Sequence, residues 1–222
     1  MKSLKSLGLF AFLVFTFITS AAQKIISEGI IVYDVAILSA DNTPQDKISL
    51  PDATSTVYLK GNNSRTDLVS PLGKEITIFN SKSDNAVVLK EFSGQKLMIT
   101  LTKENWRTKN SANRDLKFEL TGEVKNIAGV NAKKAVAVMN NGKSLIVYYS
   151  PELQPANKEY DVIFANLPGL ALEYEIDMGK TKFKYTLSKI SYDPVQVSLF
   201  DFPTSGYRIM TYNENQQLKR GS

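Results

Sequence analysis

The sequence predicts an all-β protein with at most one or two short helices, folded as a curved antiparallel sheet or half-open barrel. Three observations predict it. Apolar and polar residues alternate through most of the chain, as in Leu170-Ala171-Leu172-Glu173-Tyr174-Glu175-Ile176-Asp177. Turn chemistry recurs at short intervals, at Gly61-Asn62-Asn63, Pro71-Leu72-Gly73, Ser93-Gly94, Asn141-Gly142 and Pro168-Gly169. The one segment that leaves this pattern before the C-terminus follows Thr102.

The chain begins with a secretory signal pattern. Lys2 and Lys5 precede an uncharged apolar run, Leu7 to Thr19, and Ser20-Ala21-Ala22 supplies small residues for cleavage. The run is shorter than the ~20 residues a membrane-spanning helix needs. Cleavage after Ala22 would leave Gln23 first, in the periplasm or outside the cell, with no transmembrane segment. Residues 23–212 then read as a single β domain, followed by a polar tail over 213–222 that is expected to fray.

The strands follow in order. Gly29 to Leu38 is long and apolar, and Asp41 to Pro51, polar with two prolines, is a loop. Ser55–Lys60, Arg65–Val69, Glu75–Phe79, Ala86–Leu89 and Lys96–Leu101 form a meander. Thr102 is placed to cap a short helix through Lys103-Glu104-Asn105-Trp106-Arg107, beyond which asparagines resist helix. Strands resume at Leu116–Leu120 and Val124–Ile127. Asn131–Met139 and Lys143–Tyr149 form a hairpin about Asn141-Gly142, read as a two-residue type I′ turn that pairs Val138 with Leu145 and Val136 with Val147. Pro151 and Pro155 mark a loop, and Tyr160–Phe164 leads to Pro168-Gly169, read as a type II turn with Gly169 at positive φ. A last hairpin bends at Met178-Gly179. The expected register sets Asp177 against Lys180, Glu175 against Lys182 and Glu173 against Lys184, with Tyr174 meeting Phe183 and Leu172 meeting Tyr185 on the other face.

Composition excludes several functions. The chain has no cysteine and no histidine. Disulfides, thiol nucleophiles, a lipid-attachment cysteine, a Ser-His-Asp triad and histidine-based zinc sites are all absent. The net charge of +5 includes the two lysines of the signal and is spread over strands, so no nucleic-acid partner is expected.

Asn166-Leu167-Pro168-Gly169-Leu170-Ala171 resembles the signature of the GLPGLI family of secreted Bacteroidetes proteins. Thr121-Gly122-Glu123-Val124-Lys125-Asn126-Ile127 and Tyr148-Tyr149-Ser150-Pro151 resemble the segments before it, with Asn166 and Ala171 departing from the family pattern. The resemblance implies a half-open barrel like that of the Lol-type lipoprotein carriers, with an apolar concave face and no settled activity.

The candidate sites divide accordingly. Glu173, Glu175 and Asp177 form a carboxylate row that could hold Ca²⁺ or Mg²⁺, but their spacing along a strand and the lysines opposite favour cross-strand ion pairs. Ser93-Gly94-Gln95-Lys96 matches Ser-x-x-Lys, yet spans a turn into a strand instead of a helix start. Asn62-Asn63-Ser64 fits a glycosylation acceptor and equally a turn. Trp106 is expected as a core anchor or as a gate to a lumen. No catalytic residue, metal site or cofactor emerges. The reading is non-enzymatic binding of an apolar small molecule, lipid or acyl chain, with the lining drawn from Val136, Val138, Leu145, Val147, Tyr174, Phe183 and Tyr185. The alternative is a module that docks a protein partner of the cell envelope.

Overall fold

The computed structural model describes residues 23–39, 53–178 and 181–220. The predicted signal sequence, the loop over 41–51 and Gly179 of the predicted hairpin bend lie outside them. The strands are β1 (Lys24–Ile26), β2 (Glu28–Ser39), β3 (Ala53–Lys60), β4 (Asn63–Ser70), β5 (Gly73–Asn80), β6 (Asn85–Phe92) and β7 (Gln95–Leu101). Helix α1 (Lys103–Asn110) follows, then β8 (Glu119–Ile127), β9 (Val130–Val138), β10 (Ser144–Ser150) and β11 (Leu153–Pro155). The chain ends with β12 (Leu170–Met178), β13 (Thr181–Ser191), β14 (Arg208–Thr211) and α2 (Tyr212–Arg220).

One sheet takes twelve of the described strands in the order β14-β7-β6-β5-β4-β3-β2-β13-β12-β10-β9-β8. Every neighbouring pair is antiparallel except β14 with β7, and β1 pairs separately with β11 in parallel. β14 and β8 are left as the two edges, so the sheet is open. It is also strongly curved. Laid flat, β5 and β12 would stand about 24 Å apart at ~4.8 Å per strand, yet both line one small cavity.

The segment between β11 and β12 fills the concave side. It runs through two short 3₁₀ turns, Lys158–Tyr160 and Val162–Phe164, and carries Phe164 and Leu167 into the main core beside Ile31, Leu59, Leu145, Val147 and Leu172. Helix α1 closes the concave face over β5, β6 and β7. Thr102 caps it by accepting from the Asn105 backbone N–H, while the Asn105 side chain accepts from the Thr102 N–H. Trp106 is buried and stacks on Phe79 with ring centroids 4.5 Å apart, which settles it as a core anchor. The helix outlasts its predicted end because Asn110 Nδ2 donates to the Trp106 carbonyl at 2.8 Å, satisfying a group the helix end leaves open. On the convex side, Phe200 and Tyr207 cover Ile76, Ile78, Val87 and Leu89. β5 and β6 are thus covered on both faces, which explains the unbroken apolar run Ala86-Val87-Val88-Leu89.

Four expectations are corrected. The hairpin of β9 and β10 has a three-residue loop, Asn140-Asn141-Gly142, in which the Gly142 N–H donates to the Met139 carbonyl and Gly142 alone has positive φ. It is a type I turn with a glycine bulge, not type I′. The extra residue moves the register by one, so Val136 faces Ile146 and Ala137 faces Leu145. The type I′ geometry occurs instead at Ser93-Gly94, where both residues have positive φ. Gly169 does not take positive φ, so Pro168-Gly169 is not a type II turn. The β12–β13 pairing is two residues off the expected one, with Tyr174 opposite Tyr185 and Glu175 opposite Lys184. A shift of two preserves both faces. Finally, the polar tail is helical from Tyr212 to Arg220. Thr211 and Glu214 cap it reciprocally, a Thr-x-x-Glu signature that was present in the sequence.

Candidate functional site

The concave face leaves a cavity of about 210 Å³ between the sheet and the 3₁₀ segment. Each wall follows from period-two alternation. Tyr33 on β2, Ser55 and Val57 on β3, Thr66 and Leu68 on β4, and Glu75 and Thr77 on β5 all point inward, as do Tyr174 and Ile176 on β12 and Tyr185 on β13. Tyr160, Asp161, Ile163 and Phe164 close it from the 3₁₀ segment.

The aromatics form one connected group. Tyr174 stacks on Tyr185 at 4.8 Å, and Phe164 meets Tyr174 edge-on at 4.6 Å. Tyr33 stands edge-on to Tyr174 at 6.0 Å and donates its hydroxyl to the Ala171 carbonyl at 2.8 Å. Tyr160 lines the same cavity as Tyr33. Burial holds the phenols of Tyr33, Tyr160 and Tyr174 above their ordinary value and lifts Tyr185 to about 12.

Asp161 is the polar exception. Burial pushes its carboxyl from 3.8 up to about 6, against the opposing pull of the Ile163 N–H that it accepts and the charge of Lys109. Among the described residues it makes no ion pair. The other wall carboxylate, Glu75, is neutralised by Lys90 at 2.6 Å. Lys109 lies 5.4 Å from the Trp106 ring centroid, and desolvation draws its ammonium below the usual range.

The sequence-derived lining is brought together only in part. Tyr174 and Tyr185 line the cavity. Phe183 shares their face and packs, partly buried, against the main core. Leu145 and Val147 are fully packed, 1% and 0% exposed, away from the cavity. Val136 and Val138 lie on the opposite face, with Val138 66% exposed and its neighbour Ile146 47% exposed. The cause is the one-residue register change, which inverts a strand's faces. Asp161, Tyr160 and Tyr33 were missed because their segments alternate weakly or carry a charge that reads as solvent-facing.

The other candidates resolve as structure. Glu173 pairs with Lys125 at 2.7 Å and Lys184 at 3.5 Å, Glu175 with Lys182 at 3.4 Å, and Asp177 with Lys143 at 2.7 Å. Two of these are the pairs expected from the sequence, now reached diagonally. Each contributes about 0.2–1 kcal/mol. Ser93 sits in the type I′ turn, and Lys96 pairs with Glu91 at 3.4 Å. Among the described residues, no helix is long and apolar enough to cross a membrane.

No family model and no curated protein matches the chain. Among solved structures, PNGF-II is similar at 13% identity and a TM-score of 0.48, over 86% of this chain and 33% of that one. MucB is similar at 8% identity and 0.41, over 80% and 58%. The LolA superfamily protein NE2245 from Nitrosomonas europaea is similar at 10% identity and 0.32, over 79% and 90%. The chain therefore spans about a third of the PNGF-II chain and under two thirds of MucB.

Proposed function

We propose that the protein is a non-enzymatic carrier or sensor of the cell envelope that binds an apolar ligand, an acyl chain or the apolar part of a lipid, on the concave face of its sheet. The observation that carries this reading is the cavity walled by Val57, Leu68, Phe164, Tyr174 and Tyr185. Its volume of about 210 Å³ exceeds the roughly 150 Å³ that accepts benzene in an apolar core. A ring or a chain of about six carbons fits; a whole diacyl lipid would have to project from the opening.

Titration with hexan-1-ol, followed by NMR, tests it. Resonances of Tyr33, Leu68 and Tyr174 should shift, and Val138 should not. Leu68→Trp and Val57→Phe fill the cavity and should each abolish the shifts while the protein stays folded by circular dichroism. Folded variants that bind hexan-1-ol as before would refute the reading.

A second reading, a docking module, is favoured by one observation. β8 is an open edge with Leu120 and Val124 exposed, beside the exposed Val138 and Ile146. A stable protein partner lost on Val138→Asp, with no ligand in the cavity, would support it.

A further inference from the structure

We propose that the cavity selects ligands that carry an ammonium group on their apolar body. This rests on the binding role proposed above and specifies the head group the ligand must have.

Two carboxylates, Asp161 and Glu75, stand in the cavity wall. Asp161 lines the cavity, and its carboxylate forms no ion pair among the described residues. An ionised carboxylate held in a low-dielectric site costs free energy unless it is paired. Asp161 is half-buried in the cavity wall, and desolvation there holds its carboxyl above the ordinary range. One lysine, Lys109, acts on it through its charge without forming an ion pair. Lys90 is engaged by Glu75 on the facing wall, and Lys109 lies by the Trp106 ring without closing on Asp161. The position opposite Asp161 is therefore open to a cation brought by the ligand.

The aromatic walls favour the same charge. Tyr33, Tyr160, Tyr174 and Tyr185 surround the cavity, and the negative faces of aromatic rings attract ammonium groups, more strongly where water is excluded. A fatty-acid carboxylate would meet the opposite: like charge from Asp161 and the negative ring faces. An alcohol would gain one hydrogen bond and no charge pairing. The chemistry thus ranks ammonium above hydroxyl above carboxylate for one and the same chain.

Three six-carbon probes separate the possibilities: hexylammonium, hexan-1-ol and hexanoate, titrated calorimetrically into the purified protein at about pH 7.5, where Asp161 is ionised. Hexylammonium should bind at least about tenfold more tightly than hexan-1-ol, a difference of roughly 1.4 kcal/mol, and hexanoate more weakly than either. Asp161→Asn should bring hexylammonium and hexan-1-ol to within about twofold of each other. If hexan-1-ol or hexanoate binds as tightly as hexylammonium, ammonium selection fails and apolar binding stands. If hexylammonium keeps its tenfold advantage in folded Asp161→Asn, the assignment to Asp161 fails. If no probe binds the folded protein, the binding role itself fails, and the selection with it.

Discussion

Gly169 lies directly against the carbonyl of Ser150. A Cβ placed on Gly169 would stand 2.7 Å from the Ser150 carbonyl carbon, closer still to its oxygen, and 3.0 Å from Cδ2 of Tyr149. The glycine of the Pro-Gly pair is therefore required for close backbone approach, not for a left-handed turn. It lets the chain enter β12 flush against the end of β10, with Ser150 paired to Leu170. Gly169→Ala should destabilise the protein by about 3 kcal/mol or more, because backbone is the obstructing group and cannot rotate away. A thermal melt checks this. A Tm within a degree or two of the parent would show that the strand entry can move.

The hairpin register makes opposite predictions for two valine- and leucine-bearing faces. Val138→Asp should change stability by less than about 0.5 kcal/mol, since the side chain is largely in solvent. Leu145→Ala should cost about 2–5 kcal/mol, since it leaves a cavity in the packed core. Urea unfolding of the two variants measures both. A severe loss from Val138→Asp would restore the two-residue turn and its register.

Asp161 gives the fold a pH dependence whose sign can be worked out. Its carboxyl is raised from 3.8 to about 6 on folding. Between those values the folded protein holds more protons than the unfolded chain, so this group's effect on stability worsens as pH rises and levels off above about 6. Tyr33, Tyr160, Tyr174, Tyr185, Glu75 and Lys109 face it, and the tyrosines stay neutral throughout that window. Asp161→Asn should match the parent's Tm near pH 4 and exceed it increasingly toward pH 6.5. A constant difference across this range would mean that Asp161 does not titrate in it.

Ala128 occupies positive φ, at 50°, beside Gly129 in the tight turn between β8 and β9. That conformation costs a non-glycine residue roughly 1–2 kcal/mol, and asparagine is the residue that bears it best. Ala128→Asn should therefore raise stability by about 0.5–1 kcal/mol. Differential scanning calorimetry would register an unchanged or lower Tm if the turn prefers alanine for another reason.

The class of fold, which residues of a strand share a face, and the helix cap at Thr102 were legible in the sequence. Those are local properties: alternation sets which residues share a side, and a Thr three residues before an Asn sets a cap. It also announced the ion pairs of Glu173 and Glu175, because opposite-charge rows on one face meet at either of two registers that differ by two residues. The register of β9 on β10 was not legible there, because it depends on the loop that the folded hairpin adopts. One extra turn residue inverted Val136 and Val138, and Asn-Gly is compatible with both loop lengths. Only curvature could place Tyr33, Leu68, Asp161 and Tyr185, far apart in the chain, around one cavity. Asp161 looks like a surface residue in the sequence and enters the cavity wall, half-buried, only when the sheet folds around it, because burial belongs to the whole fold and not to the residue.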